Sequence, residues 1–153
     1  STHELGYMQH SARESFTLID FDYSLAIAKL AFDSGARSIA LVSAVGAQEG
    51  SFNYYFHIKG KLENEIKKIG YENMCFARPG HLLGKRKDFR GYEIPILESG
   101  LRIAAPFMQG PLVNFRQIEA KQVAESMVTN LLNKKRGEFY LYYEDFLKTE
   151  TFE

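Results

Sequence analysis

Residues 38–80 read SIALVSAVGAQEGSFNYYFHIKGKLENEIKKIGYENMCFARPG. The stretch opens on SIALVSA, a short apolar run with β-branched residues and no polar alternation. Such a run suits a strand covered on both faces, the kind found inside parallel sheets. The Gly-containing loop VGAQEGS follows, and then apolar residues recur at helical spacing: Tyr55, Ile58, Leu62, Ile66 and Ile69. That spacing predicts a helix over Phe52–Ile69, with Glu63 and Lys67 as an outward i,i+4 pair and Gly70 as its stop. NMCFA then reads as a second buried strand, halted by Pro79-Gly80. Strand, helix and strand joined by short connections argue an α/β fold with a parallel sheet and right-handed crossovers.

Upstream, Ile19, Tyr23, Ala26, Ile27, Leu30 and Ala31 predict a helix over Phe16–Asp33, closed by Gly35. Downstream the pattern loosens. HLLGKRKDFRGYE reads as a basic loop, and IPILESGLRIAAPFM holds a candidate helix after Pro95 that Gly100 weakens. IEAKQVAESMVTNLLNKK is amphipathic, with Val123, Met127 and Leu131 on one stripe. EFYLYY is a last strand candidate at a sheet edge, where an exposed aromatic strand can mediate homodimerisation. A chain of 153 residues with this organisation reads as a single domain, residues 1–153.

Composition narrows the function classes. Lys+Arg and Asp+Glu are 19 each, so no net field favours nucleic acid or an anionic membrane. The basic cluster Lys85, Arg86, Lys87 and Arg90 lacks base-stacking aromatics at regular spacing, which argues against a nucleic-acid partner. One cysteine, Cys75, forbids an intrachain disulfide and points to a reducing compartment, read as cytoplasmic. No apolar run is long enough to be a transmembrane segment, and STHELGYMQH has no signal-peptide core. His3, His10, His57 and His81 show no metal spacing, so no metal site is expected.

Tyr55 and Lys59 stand four apart on the second helix and share a face. A free phenol has a pKa of about 10, and a neighbouring ammonium favours the phenolate. Such a pair can exchange a proton with a carbonyl or alcohol. Ser43, at the end of the first strand, stands where open α/β sheets place their ligands. The competing reading is plain: Tyr55 lies on the apolar stripe and suits a core position equally well.

The order of these segments resembles the short-chain dehydrogenase/reductase superfamily, in its atypical Tat-interacting oxidoreductase-like branch. The resemblance rests on IDFDYSLAIAKLAFDSGARSIALVSAVGAQ, YYFHIKGKLENEI and FARPGHLLGKR, spans Leu5–Arg90, and continues more weakly through IEAKQVAESM. It implies a Rossmann-type fold binding NADP(H), with NAD(H) as the alternative. It implies Tyr55 and Lys59 as catalytic and ribose-binding residues, with Ser43 as the third catalytic member. It places Pro79, Gly80 and Leu82 at the nicotinamide end, Arg90 (with Arg86 nearby) on a cofactor phosphate, and Leu5-Gly6 at the end of a strand bordering the cofactor.

Two departures accompany it. Ala44 stands where the family carries a second serine, leaving Ser43 or Ser51 to supply the hydroxyl. The twelve glycines contain neither G-x-G nor G-x-x-G, so the glycine-rich strand-turn-helix that holds a pyrophosphate is lacking. The chain is therefore expected to be the C-terminal part of an NAD(P)-binding domain. The function expected is an NADP(H)-dependent oxidoreductase acting on a small-molecule carbonyl or alcohol. The alternative is a non-enzymatic NADP(H)-sensing member of the same fold that contacts a protein partner.

Overall fold

A computed structural model describes residues 2–83, 110–133 and 135–148. The candidate helix after Pro95 and the basic residues Arg86 and Arg90 lie outside them. The chain separates into two compact units: residues 1–39 with 46–72, and residues 40–45 with 73–153.

The first unit is helical. α1 (Thr2–Thr17) passes through a π-helical turn (Leu18–Tyr23) into α2 (Ser24–Asp33), so the predicted Phe16–Asp33 helix is the second half of a longer helical run. Gly35, at φ 103°, ends it in the left-handed region that a side chain would disfavour. The apolar stripe taken from the sequence faces outward. Ile19, Tyr23, Ile27 and Leu30 are exposed, the last two at 68%, while Phe21 and Ala28 are buried. The helix carries apolar residues on two faces, and 3.6-residue periodicity does not say which one meets the core.

α3 (Tyr54–Lys67) packs against this run. Asn53 caps it, its Oδ1 accepting from the amides of Tyr55 (3.0 Å) and Phe56 (3.4 Å). Ile58, Leu62 and Ile66 are buried as expected. Glu63, expected on the outward face, is 1% exposed and belongs to the buried side. Gly60 lets the preceding loop lie on the helix, because a Cβ there would fall 2.4 Å from the carbonyl carbon of Gln48. Tyr71 closes the unit, its hydroxyl donating to Ala28 O at 2.6 Å and its ring edge-on to Phe32.

The second unit holds the sheet. β1 (Ser38–Val42, of which residues 40–42 fall in this unit), β2 (Asn73–Ala77) and β5 (Gly137–Leu141) form a three-stranded parallel sheet in the order β1-β2-β5. This is the expected Rossmann-like α/β arrangement. β2 is buried at every position because it has a neighbour on each side; β1 is only half-buried because it is an edge among the described strands. β5 takes the other edge, as its aromatic pattern predicted. β3 (His81–Leu83) and β4 (Gln117–Glu119) form a separate parallel pair within segments read from sequence as loop and helix start. α4 (Ala120–Leu132) and the short α5 (Tyr143–Leu147) complete the unit around Ala77, Ile118, Val123 and Phe146.

Candidate functional site

The helical unit brings three of its polar groups together on one side. Tyr55 and Lys59 share a face of α3, as their spacing predicted, and the Lys59 ammonium stands 5.8 Å from the centroid of the Tyr55 ring. The nearer partner of Lys59 is Asp20, whose Oδ1 accepts from Nζ at 2.7 Å. Asp20 projects from the π-helical turn, a local widening of the helix that recurs at functional sites. The Lys59 side chain is 11% exposed and that of Asp20 32%, so the pair is largely withdrawn from water.

Tyr55 does not sit in the core. It is 42% exposed, with its ring 5.5 Å from that of Phe16 and edge-on to Phe56 at 5.4 Å. An aromatic frame thus holds the phenol at the surface beside the ion pair. Its neighbour Tyr54 is engaged elsewhere, with its hydroxyl hydrogen-bonded to Thr17 and the Arg13 guanidinium over its ring.

Sequence reasoning missed Asp20. The available signal was an acidic residue inside the run LIDFDY, in a helix whose surrounding residues are apolar. The charge assigned to Tyr55 alone is shared with a carboxylate, which changes what Lys59 does. It bridges α3 to the π-helical turn as well as standing beside the phenol.

The other expected residues fall differently. Ser43 is buried, its amide donating to Ala77 O at 2.7 Å, and its hydroxyl meets no hydrogen-bond partner among the described residues. Ser51, the substitute considered for it, accepts from the Asn53 amide at 3.2 Å in the turn before α3. Pro79 is buried and its carbonyl accepts from Val45 N at 3.1 Å. Gly80 is explained by its own chain: a Cβ there would meet Asn114 O and Phe115 Cα at 2.6 Å. Leu82 lines an apolar cavity of 310 Å³ with Val42, Val123 and Met127. Gly6 lies within α1, which corrects its expected place at a strand end. The four residues before it and the eleven after it in THELGYMQHSARESFT include good helix formers and no proline to break the run.

These placements bear on the expected cofactor. A dinucleotide needs backbone amides gathered at a glycine turn or helix N-terminus to hold its phosphates. Among the described residues expected to contact NADP(H), Gly6 is mid-helix, Gly80 is filled by the chain's own backbone, and Leu82 faces apolar side chains. None of the three, taken singly, gathers backbone amides into a phosphate cradle. No group of three or more His, Cys, Asp or Glu among the described residues is arranged to hold a metal. Cys75 is buried in β2, and burial pushes its thiol up to about 11, away from nucleophilic use at neutral pH.

No family model matches the chain. It is similar to fungal proteins named FMP52, mitochondrial. The Candida albicans protein is 34% identical over 113 residues, 73% of this chain and 48% of that protein. The Meyerozyma guilliermondii protein is 31% identical over 121 residues, 78% of this chain and 50% of its own length. The Debaryomyces hansenii protein is 41% identical over 78 residues, 51% of this chain and 34% of that protein. The chain spans half or less of the length of these relatives. Their names correct three expectations. The assignment to the Tat-interacting oxidoreductase-like branch gives way to similarity with the FMP52 proteins. The NADP(H)-dependent oxidoreductase reading, with its NADP(H)-sensing alternative, is withdrawn, since neither a family model nor a relative's name carries it. The cytoplasmic location is overturned by relatives named as mitochondrial. No helix among the described residues is long and apolar enough to cross a membrane.

Proposed function

We propose that this chain is part of a mitochondrial protein that binds an oxygen-bearing small molecule, a carbonyl or hydroxyl compound, at the Tyr55 phenol. The location is taken from the names of the relatives. One observation carries the binding site: a half-exposed phenol framed by Phe16 and Phe56 stands on the same helix face as the largely buried Asp20–Lys59 pair. A phenol is both donor and acceptor, so it can meet either a carbonyl or a hydroxyl. The ion pair ties α3 to the π-helical turn beside it and places the Lys59 side-chain nitrogen on the same face. No reaction is assigned.

A purely structural role for Tyr55 is the specific alternative, since its two ring contacts would survive loss of the hydroxyl. Tyr55→Phe separates the two. The measurement is saturation-transfer NMR of the chain with a panel of small aldehydes, ketones and alcohols, followed by titration of any compound that binds. The reading expects a binder whose affinity falls up to about tenfold in Tyr55→Phe, the equivalent of one hydrogen bond. No compound distinguishing the two proteins would overturn it. NADPH, proposed as cofactor from the resemblance, is titrated in the same series. Because Gly6, Gly80 and Leu82 offer no phosphate cradle, binding weaker than micromolar is expected.

A further inference from the structure

Building on the Tyr55 phenol as a binding group for carbonyl and hydroxyl compounds, we infer that this site selects uncharged aromatic ones and that Phe52 supplies a ring that meets them. Tyr55 stands in a run of four rings on the helical unit. Centroid separations along the run are 6.4 Å from Tyr54 to Phe16, 5.5 Å from Phe16 to Tyr55 and 5.4 Å from Tyr55 to Phe56. Aromatic rings attract one another, offset or edge-on, at centroid separations of about 4.5–7 Å. Tyr54, Phe16 and Phe56 are half-buried and Tyr55 is exposed, so the run reaches the surface at Tyr55. A compound whose oxygen bonds the phenol can extend the run with a ring of its own.

Phe52 marks the same end of α3. It is fully exposed, one residue before the Asn53 cap. An apolar residue at that position ordinarily packs onto the fourth residue of the helix. Here the fourth residue is His57, whose Nδ1 is hydrogen-bonded to the Glu49 carbonyl oxygen, and the exposed Phe52 makes no such staple. Its ring stands in water three residues before Tyr55, and burying it against a ligand ring removes apolar surface from water. The polar groups nearby are already matched. The Lys59 ammonium donates to Asp20 at 2.7 Å, and the Tyr55 and Phe56 amides donate to Asn53 Oδ1. At these residues a charged substrate group finds neither an open cation nor an open amide, whereas an uncharged ring loses no hydration of charge on binding.

NMR titration of the chain with acetophenone and with cyclohexyl methyl ketone, which share a carbonyl and differ in the ring, tests this. Acetophenone should bind about two- to tenfold more tightly. Phe52→Leu keeps apolar bulk at an exposed position and should abolish that preference, with circular dichroism checking that the fold is retained. Tyr55→Phe keeps the ring and loses the hydroxyl, so it should weaken both ketones and leave their ratio unchanged. 4-Acetylbenzoate should bind no more tightly than acetophenone. Equal affinities for the two ketones, with both still weakened by Tyr55→Phe, overturn the aromatic selection and leave the phenol as the binding group. A preference that survives Phe52→Leu overturns the role of Phe52, and tighter binding of 4-acetylbenzoate overturns the selection for uncharged compounds. Affinities untouched by Tyr55→Phe, or no binding of either ketone, overturn the phenol as a binding group and the aromatic selection with it.

Discussion

Breaking the Asp20–Lys59 pair from either side should cost different amounts, and the difference tests whether the pair is a structural bridge. Asp20→Ala leaves an ammonium that is 11% exposed without its carboxylate at 2.7 Å. Lys59→Met leaves a carboxylate that is 32% exposed, with water available to solvate it, and Met keeps most of the lysine's apolar stem in place. Removing one partner of a fully buried pair costs about 3–5 kcal/mol, and an exposed pair contributes only about 0.2–1 kcal/mol. This pair lies between those limits. The expected costs are about 2 kcal/mol for Asp20→Ala and about 1 kcal/mol for Lys59→Met. The double variant leaves no orphaned charge, so its cost should fall short of the sum by about 1 kcal/mol. Urea unfolding followed by far-UV circular dichroism, run as a double-mutant cycle, measures all three. Additive costs, or Lys59→Met proving more damaging than Asp20→Ala, would refute the reasoning that a desolvated ammonium dominates this contact.

Gly60→Ala sets two effects against each other. Alanine favours a helix interior by about 1 kcal/mol, but its methyl would lie 2.4–2.5 Å from three backbone atoms of Gln48, whose amide donates to Phe56 O. Backbone cannot swing aside as a side chain can, so overpacking of about 1–3 kcal/mol wins and a lower denaturation midpoint is expected; a stabilised variant would show that the loop does not rest on the helix. Cys75 gives a pH signature. Its folded pKa is raised from 9.0 to about 11 by burial, so its contribution to stability is complete below pH 9 and is lost as pH rises through 11. At about 1.4 kcal/mol per unit, close to 3 kcal/mol is at stake. Cys75→Ala should flatten that part of the stability–pH curve, and parallel curves for the two proteins would contradict it.

The fold was legible where a segment's environment is set by its neighbours in sequence. NMCFA is a strand buried at every position, and nothing in its five residues offers a polar face. Asn53 caps α3 one residue away from the start that periodicity suggested. The helix Phe16–Asp33 shows where periodicity stops informing. Both Ile19-Tyr23-Ile27-Leu30 and Phe21-Ala28 repeat at helical spacing, and only packing decides between them. The larger stripe lost, because the unit's own core takes a phenylalanine and a small residue where Tyr71 and Lys61 approach. The Tyr71 hydroxyl reaches Ala28 O, and the Lys61 ammonium lies 4.8 Å from the Phe21 ring centroid.

The same limit governs the site. Tyr55 and Lys59 could be paired from sequence because a helix places residues four apart side by side. Asp20 could not, since it stands 39 residues before Lys59 and reaches it only through the packing of two helices. A lysine read with one neighbour looks like a device for tuning a phenol. Read with both, it is first an ion-pair partner at 2.7 Å and second a cation standing 5.8 Å from an aromatic ring. Coulomb attraction falls with distance and rises as water is excluded, so the nearer, less hydrated contact dominates how Lys59 is held. The phenol's chemistry then depends on a three-residue set. One member sits in a helical turn of irregular pitch, where regular 3.6-residue spacing cannot assign a side chain to a face.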